Sequence, residues 1–307
     1  MKELKIIGLS LLLFGTANAQ DAEQARKAID AEQYQKAKTI LKSLIASNAD
    51  EGRNYFLLGD VYLKQNEEDS AAIFFNRGKA VKNNADFNNI GLGHIDLNKG
   101  NAAAAQAKFD AVQNAAKKKE TEQLIYIGRA YIFSDNPDYN KAIAVLNKAV
   151  ERDANSAQAY LSLGDAHYRN RNQNEAYTNY RRAFNLDKSL LRANLQLGVI
   201  TKNTRTAFPE AVKQFDAVTA ADPNYGPVYR ELAETYYLWA NKEQSKYKEH
   251  INKALEYYKK YMSLTDYSLN SRMRYADFLL LAKDYKTLQA ETTAMQKMDA
   301  VNPKIIR

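Results

Sequence analysis

Between Arg53 and Asn84 apolar and polar residues alternate at helical rather than strand spacing. Tyr55, Leu58, Gly59 and Tyr62 fall on one face of a first helix. Ala71, Phe75 and Gly78 fall on one face of a second, and the polar run Lys64–Asp69 separates the two. Gly59 and Ala71 are small enough for two backbones to approach closely, while Tyr62 and Phe75 fill the space beside them. The pattern predicts a helical hairpin, and the hairpin recurs. Leu92–Gly93, Ile127–Gly128, Leu163–Gly164, Leu197–Gly198 and Leu232–Ala233 repeat the central pair, with the small residues 34, 35, 36, 34 and 35 residues apart. The second helices answer with Ala105/Phe109, Ala142/Leu146, Ala176/Tyr180, Ala211/Phe215 and Ala254/Tyr258. Only five prolines interrupt the chain and no stretch alternates as a strand does, which predicts an all-α protein.

Tyr55-x2-Leu58-Gly59-x2-Tyr62, followed by Ala71 and Phe75, resembles the tetratricopeptide repeat family, with Tyr55 for the usual Trp and Gly78 where Ala is usual. The resemblance covers nearly all of the chain after residue 20. It implies a right-handed α-solenoid of seven to eight helix-turn-helix repeats, near residues 21–51, 52–85, 86–119, 120–156, 157–190, 191–225, 226–268 and 269–303. In such an array each repeat buries its apolar face on its neighbour, so 307 residues need not mean two domains. Asp21–Asp50 reads as a degenerate first repeat whose polar first helix suits a terminal cap. In the seventh repeat, 21 residues separate Ala233 from Ala254 where Gly59 and Ala71 are 12 apart. Both of its helices are therefore expected to be extended. At the other end, Lys304–Arg307 reads as the start of another helix, predicting further repeats or self-association there.

The first residues change the picture of location. Lys2 and Lys5 precede the apolar run Ile6–Phe14, and Ala17-Asn18-Ala19 is a small-x-small cleavage signal, so residues 1–19 read as a signal peptide. The run is about half of the ~20 residues a membrane-spanning helix needs. No cysteine follows it, which removes a lipoprotein anchor, and the protein is expected in the periplasm. The absence of cysteine from the whole chain also removes disulfides, thiolate metal sites and cysteine nucleophiles.

Of the formal net charge of +8, much is concentrated between Arg152 and Lys213, where ten Lys/Arg face five Asp/Glu. Arg169, Arg171, Arg181, Arg182, Arg192 and Arg205, together with Lys202, make a candidate basic face for an anionic envelope polymer or lipid. In an exported protein nucleic acid is not an expected partner. Tyr237, Trp239 and Tyr247 in the extended repeat have no core position in the repeat pattern, and aromatics beside lysines form a candidate contact surface.

Catalytic constellations are not evident. His94, His167 and His250 belong to different repeats without HExxH context, Gly91-x-Gly93 lacks a third glycine and a preceding strand, and no P-loop or G-x-S-x-G is found. No enzyme activity, cofactor or metal is expected. The family resemblance instead implies a concave groove lined by the first helices, at positions two before and two after the first member of each central pair. Those rows give Phe56, Ile90, Ile125 and Leu161, and Asp60, His94, Arg129 and Asp165, an apolar row beside a mostly polar one that suits an extended peptide or a helix. Phe56 and Asp60 break the Lys/Asn/Arg set of the family's chaperone-tail clamp, so that function is not carried over. The expected function is a periplasmic protein-binding scaffold, in an envelope assembly or a secretion complex, with a protein partner. The alternative is binding of an anionic polymer or lipid through the basic face.

Overall fold

The computed structural model describes residues 20–117, 120–205, 207–266 and 269–298, and among them it is all-α. The signal-peptide segment 1–19 and the expected helix start at Lys304 lie outside the described residues. Helix α1 covers residues 20–30 and is followed by α2 (Tyr34–Ser47). The pairs α3 (Gly52–Lys64) and α4 (Glu68–Lys79), α5 (Asp86–Asn98) and α6 (Ala102–Ala115), α7 (Glu122–Phe133) and α8 (Tyr139–Arg152), and α9 (Ala157–Arg169) and α10 (Gln173–Leu186) come next. Then follow α11 (Leu191–Arg205) with α12 (Phe208–Ala221), α13 (Gly226–Lys242) with α14 (Tyr247–Leu264), and α15 (Leu269–Leu281) with α16 (Tyr285–Met298). Within each unit helices pair within repeats, and second helices pack on the first helix of the next repeat, as in an α-solenoid.

Two compact units divide the chain: residues up to 190 without 31–33, and residues 31–33 with those from 191 onward. In the first unit the core runs continuously from Ala25 and Ala28 of α1 through Leu58, Phe75, Phe109 and Leu146 to Ala166 of α9. The glycine of each central pair in this unit lies against the large side chain of its own second helix. A Cβ on Gly59 would meet Phe75 at 2.3 Å, one on Gly93 would meet Phe109 at 2.4 Å, and one on Gly164 would meet Tyr180 at 2.5 Å. Phe75 is clasped from both sides, because a Cβ on Gly91 of the next repeat would meet it at 2.4 Å. That contact gives Gly91 a packing role and removes the nucleotide-loop comparison. At Gly78, where the family usually has Ala, a Cβ would meet Asn88 Oδ1 at 2.3 Å and Tyr55 Cβ at 2.5 Å. Asn88 takes the space to donate from Nδ2 to the Gly52 carbonyl at 2.9 Å, a buried bond between successive repeats.

Turn chemistry sets the helix ends. Asp138, Ser156 and Asn172 cap α8, α9 and α10 by accepting from Lys141, Ala159 and Glu175 amides. Pro209 and Pro227 occupy the first turns of α12 and α13, where no donor is lost. Glu32, Asn66, Gly100, Arg171 and Lys283 each have φ between 59° and 76°, and each follows its repeat's small residue by seven positions. A left-handed turn residue is thus part of five repeats although only one of the five is glycine.

In the second unit Lys202 of α11 donates to Glu231 of α13 at 2.7 Å, and both side chains are nearly buried. Burial pushes the Glu231 carboxyl up, but Lys202 and Arg230 outweigh it and hold it below the ordinary range. Lys202 is therefore taken out of the basic surface expected from sequence. The seventh repeat has helices of 17 and 18 residues, joined through a 3-10 turn at Gln244–Lys246.

Candidate functional site

The inner face of the first unit holds a cavity of about 210 Å³ between α3, α5 and α7. Its floor is apolar, with Phe56, Phe75, Ile90, Tyr126 and Phe133, and its rim carries Asp60, Lys64, His94, Asn98, Arg129 and Asp135. Phe56, Asp60, Ile90, His94 and Arg129 of the two sequence rows are brought together here. Lys64, Asn98 and Phe133 belong to the same stripe one helical turn later, each four residues beyond Asp60, His94 and Arg129. The i,i+4 rule would have found them.

Three residues of the rows are not at this cavity, which corrects the expectation of one long groove. Ile125 and Leu161 are buried between helices, and Asp165 is buried with its carboxylate accepting from the Tyr180 hydroxyl at 2.9 Å. Even Phe56 is only 4% exposed, being packed edge-on to Tyr126 with ring centroids 4.7 Å apart and against Phe75 and Phe87. The apolar row is therefore chiefly packing, and only the faces of Phe56 and Ile90 reach the cavity.

Charge orders the rim. Arg26 of α1 and Arg53 of α3 both reach Glu122 in the first turn of α7, at 2.9 Å each, one turn before Tyr126. Glu122 also sits at the positive end of its helix. Asp60 and Lys64 are 4.0 Å apart along α3. Lys64 and Arg169 both lie over the Phe133 ring, at 5.8 and 4.8 Å. Arg129 stands over Tyr126 at 5.5 Å and takes part in none of the ion pairs found among the described residues. Burial holds the His94 imidazole below its ordinary range, with Asp60 and the Phe133 carbonyl pulling the other way, so the ring is neutral at pH 7. The site thus presents donors and acceptors above an apolar floor, an arrangement suited to recognition. Among the described residues no group of three His, Asp or Glu is placed to hold a metal ion, and no helix is long and apolar enough to cross a membrane.

Three exposed arginines of the basic run lie beside aromatic rings. Arg169 turns to Phe133, Arg181 lies over Tyr177 of its own helix, and Arg182 lies over Tyr160 of α9. Arg171 is the left-handed residue of its turn. Arg192 and Arg205 belong to the other unit, and the side chain of Arg205 lies outside what is described. Two aromatics of the insert have ring partners and keep partial exposure. Tyr237 packs edge-on to Phe278 beneath Arg274, and Trp239 stacks on Tyr236, His250 and Phe208. Tyr247 opens α14 and is half-buried. Of these partners His250 comes from the extra length of the hairpin, whereas Phe208 comes from α12 and Phe278 and Arg274 from α15.

Family comparison agrees with this geometry. The "Tetratricopeptide repeat" family matches residues 22–85 and 157–190, and "TPR repeat" matches residues 130–170. The chain is built of tetratricopeptide repeats. A curated relative of this tetratricopeptide chain, anaphase-promoting complex subunit 3 of Schizosaccharomyces pombe, is 25% identical over 184 residues, or 60% of the chain and 27% of that protein. The chain therefore matches about a quarter of the relative's length. Among solved structures, the type IV pilus biogenesis factor PilW aligns with a TM-score of 0.54 at 16% identity, over 73% of this chain and 98% of that one. Pseudomonas aeruginosa PilF aligns with a TM-score of 0.50 at 16% identity, over 72% and 94%. A human IFIT1 dimer aligns with a TM-score of 0.55 at 12% identity, over 93% and 73%. These likenesses concern the fold.

Proposed function

We propose that this tetratricopeptide chain is a non-enzymatic scaffold that binds a protein segment on the inner face of its first unit. The observation that carries the reading is the cavity between α3, α5 and α7, where Arg129 and neutral His94 stand above an apolar floor. Its ~210 Å³ is below the ~300–1,000 Å³ typical of sites that enclose a small molecule. One or two side chains of a longer segment fit it better, with the rest of the segment running over the rim. The periplasmic location and a place in an envelope assembly or secretion machine rest on the pattern of residues 1–19 alone.

The test is in-cell crosslinking with mass spectrometry on the tagged protein, beside Arg129→Glu. Arg129 is a better target than Phe56, whose loss would disturb three packed rings. Recovery of one protein that Arg129→Glu loses supports the reading. Recovery of anionic glycan or lipid that ignores Arg129→Glu but is lost on Arg181→Glu/Arg182→Glu overturns it in favour of polymer binding.

A further inference from the structure

The long hairpin of the seventh repeat contains a buried histidine in an unusual setting. His250, on the first turn of α14, is 3% exposed, and neither Nδ1 nor Nε2 has a hydrogen-bond partner. A buried polar ring without partners is costly, so its place needs a reason. Its ring is stacked on Trp239 of α13, with centroids 4.6 Å apart and planes 24° from parallel, and it lies 5.8 Å from the Tyr236 ring. Nε2 lies 3.5 Å from Oε2 of Glu243, the residue that ends α13. That is too long for a good hydrogen bond but within a small shift of one.

Glu243 is already the hub of this turn. Oε2 accepts from the Trp239 indole at 2.9 Å, and Oε1 lies 2.8 Å from Lys246 Nζ. Lys246 first, and then His250 and Trp239, hold the Glu243 carboxyl below the ordinary range, so it stays ionised as pH falls through the interval in which histidines change charge. Other charged groups around the stack are Lys242 on α13, lying over Phe208; Lys253 on α14, lying over Tyr236; Glu249 on α14; and Asp216 on α12. Among the described residues only Glu243 is close enough to pair with the imidazole.

We propose that His250 is a proton-operated latch on the α13–α14 hairpin. Protonation makes the approach of Nε2 to Glu243, which the neutral Nε2–H tautomer offers without charge, a charge-assisted one, and turns the Trp239 stack into a cation–π contact. The positive charge that strengthens both contacts exists only in the protonated form, so the latch tightens as pH falls and loosens as it rises. Closing it adds a bond from the end of α13 to the start of α14 across the 3-10 turn, beside the ring stacking and the Glu243–Lys246 pair. The extra length of this repeat thereby becomes a pH-responsive element, independent of whether the inner-face cavity binds a segment.

The chain has one tryptophan, so Trp239 reports the event directly. The experiment titrates the fluorescence of the full chain between about pH 8 and pH 5, where histidine side chains change charge, with hydrogen exchange at residues 239–250 corrected for intrinsic rates. The proposal expects a single step of quenching on acidification and several-fold greater exchange protection of the Glu243 amide at the acid end. His250→Gln should abolish the step. Glu243→Gln, a change at a more exposed position that leaves the ring stack in place, should move it to lower pH. A flat wild-type titration, a step that survives His250→Gln, or one that Glu243→Gln leaves unmoved overturns the proposal.

Discussion

Gly59→Ala isolates the packing rule on which the repeats depend. The added Cβ would come within 2.3, 2.6 and 2.7 Å of three atoms of the Phe75 ring. All three are impossible distances, so the ring must move as a body. It has nowhere to go, because it is fully buried and Gly91 holds its other side. Two effects oppose each other. Replacing a helical glycine by alanine stabilises by about 1 kcal/mol through backbone entropy. Overpacking a filled core costs about 1–3 kcal/mol, and a ring clasped between two helices belongs in the upper part of that range. The net expectation is destabilisation by about 1–2 kcal/mol. Phe75→Leu in the same chain should relieve the clash, with a favourable coupling of about 1 kcal/mol. The assay must be local. Trp239 lies in the second unit and does not report on α3–α4, and stacked repeats can open separately. Hydrogen exchange at α3 and α4 amides in wild type, both single variants and the double variant reads the cycle. If Gly59→Ala leaves protection unchanged or raises it, helix propensity has won and the clasp is not a constraint.

Two further outcomes can be checked. Lys202→Met should destabilise the second unit by about 3 kcal/mol, since it leaves the nearly buried Glu231 carboxylate with only Arg230 at 3.6 Å. Because the folded Glu231 carboxyl is held below its ordinary range, its contribution is present above that range and lost as pH falls. The difference from wild type should shrink on acidification, as urea unfolding followed by Trp239 fluorescence will show. Asn88→Ala removes the buried bond to the Gly52 carbonyl and should cost about 1–3 kcal/mol, seen as faster exchange at the α3–α5 junction while α9 and α10 are unaffected.

Much of the candidate site is legible in the sequence. Asp60, His94 and Arg129 recur at the same place in successive repeats, so a shared inner face follows from periodicity. Depth does not follow. Whether Ile125 or Leu161 opens onto a groove or closes between helices depends on how tightly adjacent repeats stack, and the stacking is set by contacts distant in sequence. Arg26 and Glu122 are 96 residues apart, and no local pattern pairs them. The left-handed turn residues escaped notice for another reason: Glu32, Asn66, Arg171 and Lys283 lack the glycine that marks such a turn, and hairpin closure imposes the conformation on them.

The sequence alone determined the helices, their pairing and their period. Those depend on which residues recur on one helical face, and the small–large partnership of Gly59 with Phe75 or Gly164 with Tyr180 is written into that recurrence. Tertiary structure decided which charges remain on the surface and which aromatics remain available. Lys202 disappeared into a pair with Glu231, Arg169, Arg181 and Arg182 came to lie beside aromatic rings, and Trp239 found His250 across a hairpin longer than its neighbours. The reason is physical. Periodicity fixes the direction of a side chain from its own helix, whereas burial and partners depend on the neighbouring helix, whose distance and register only the folded chain supplies.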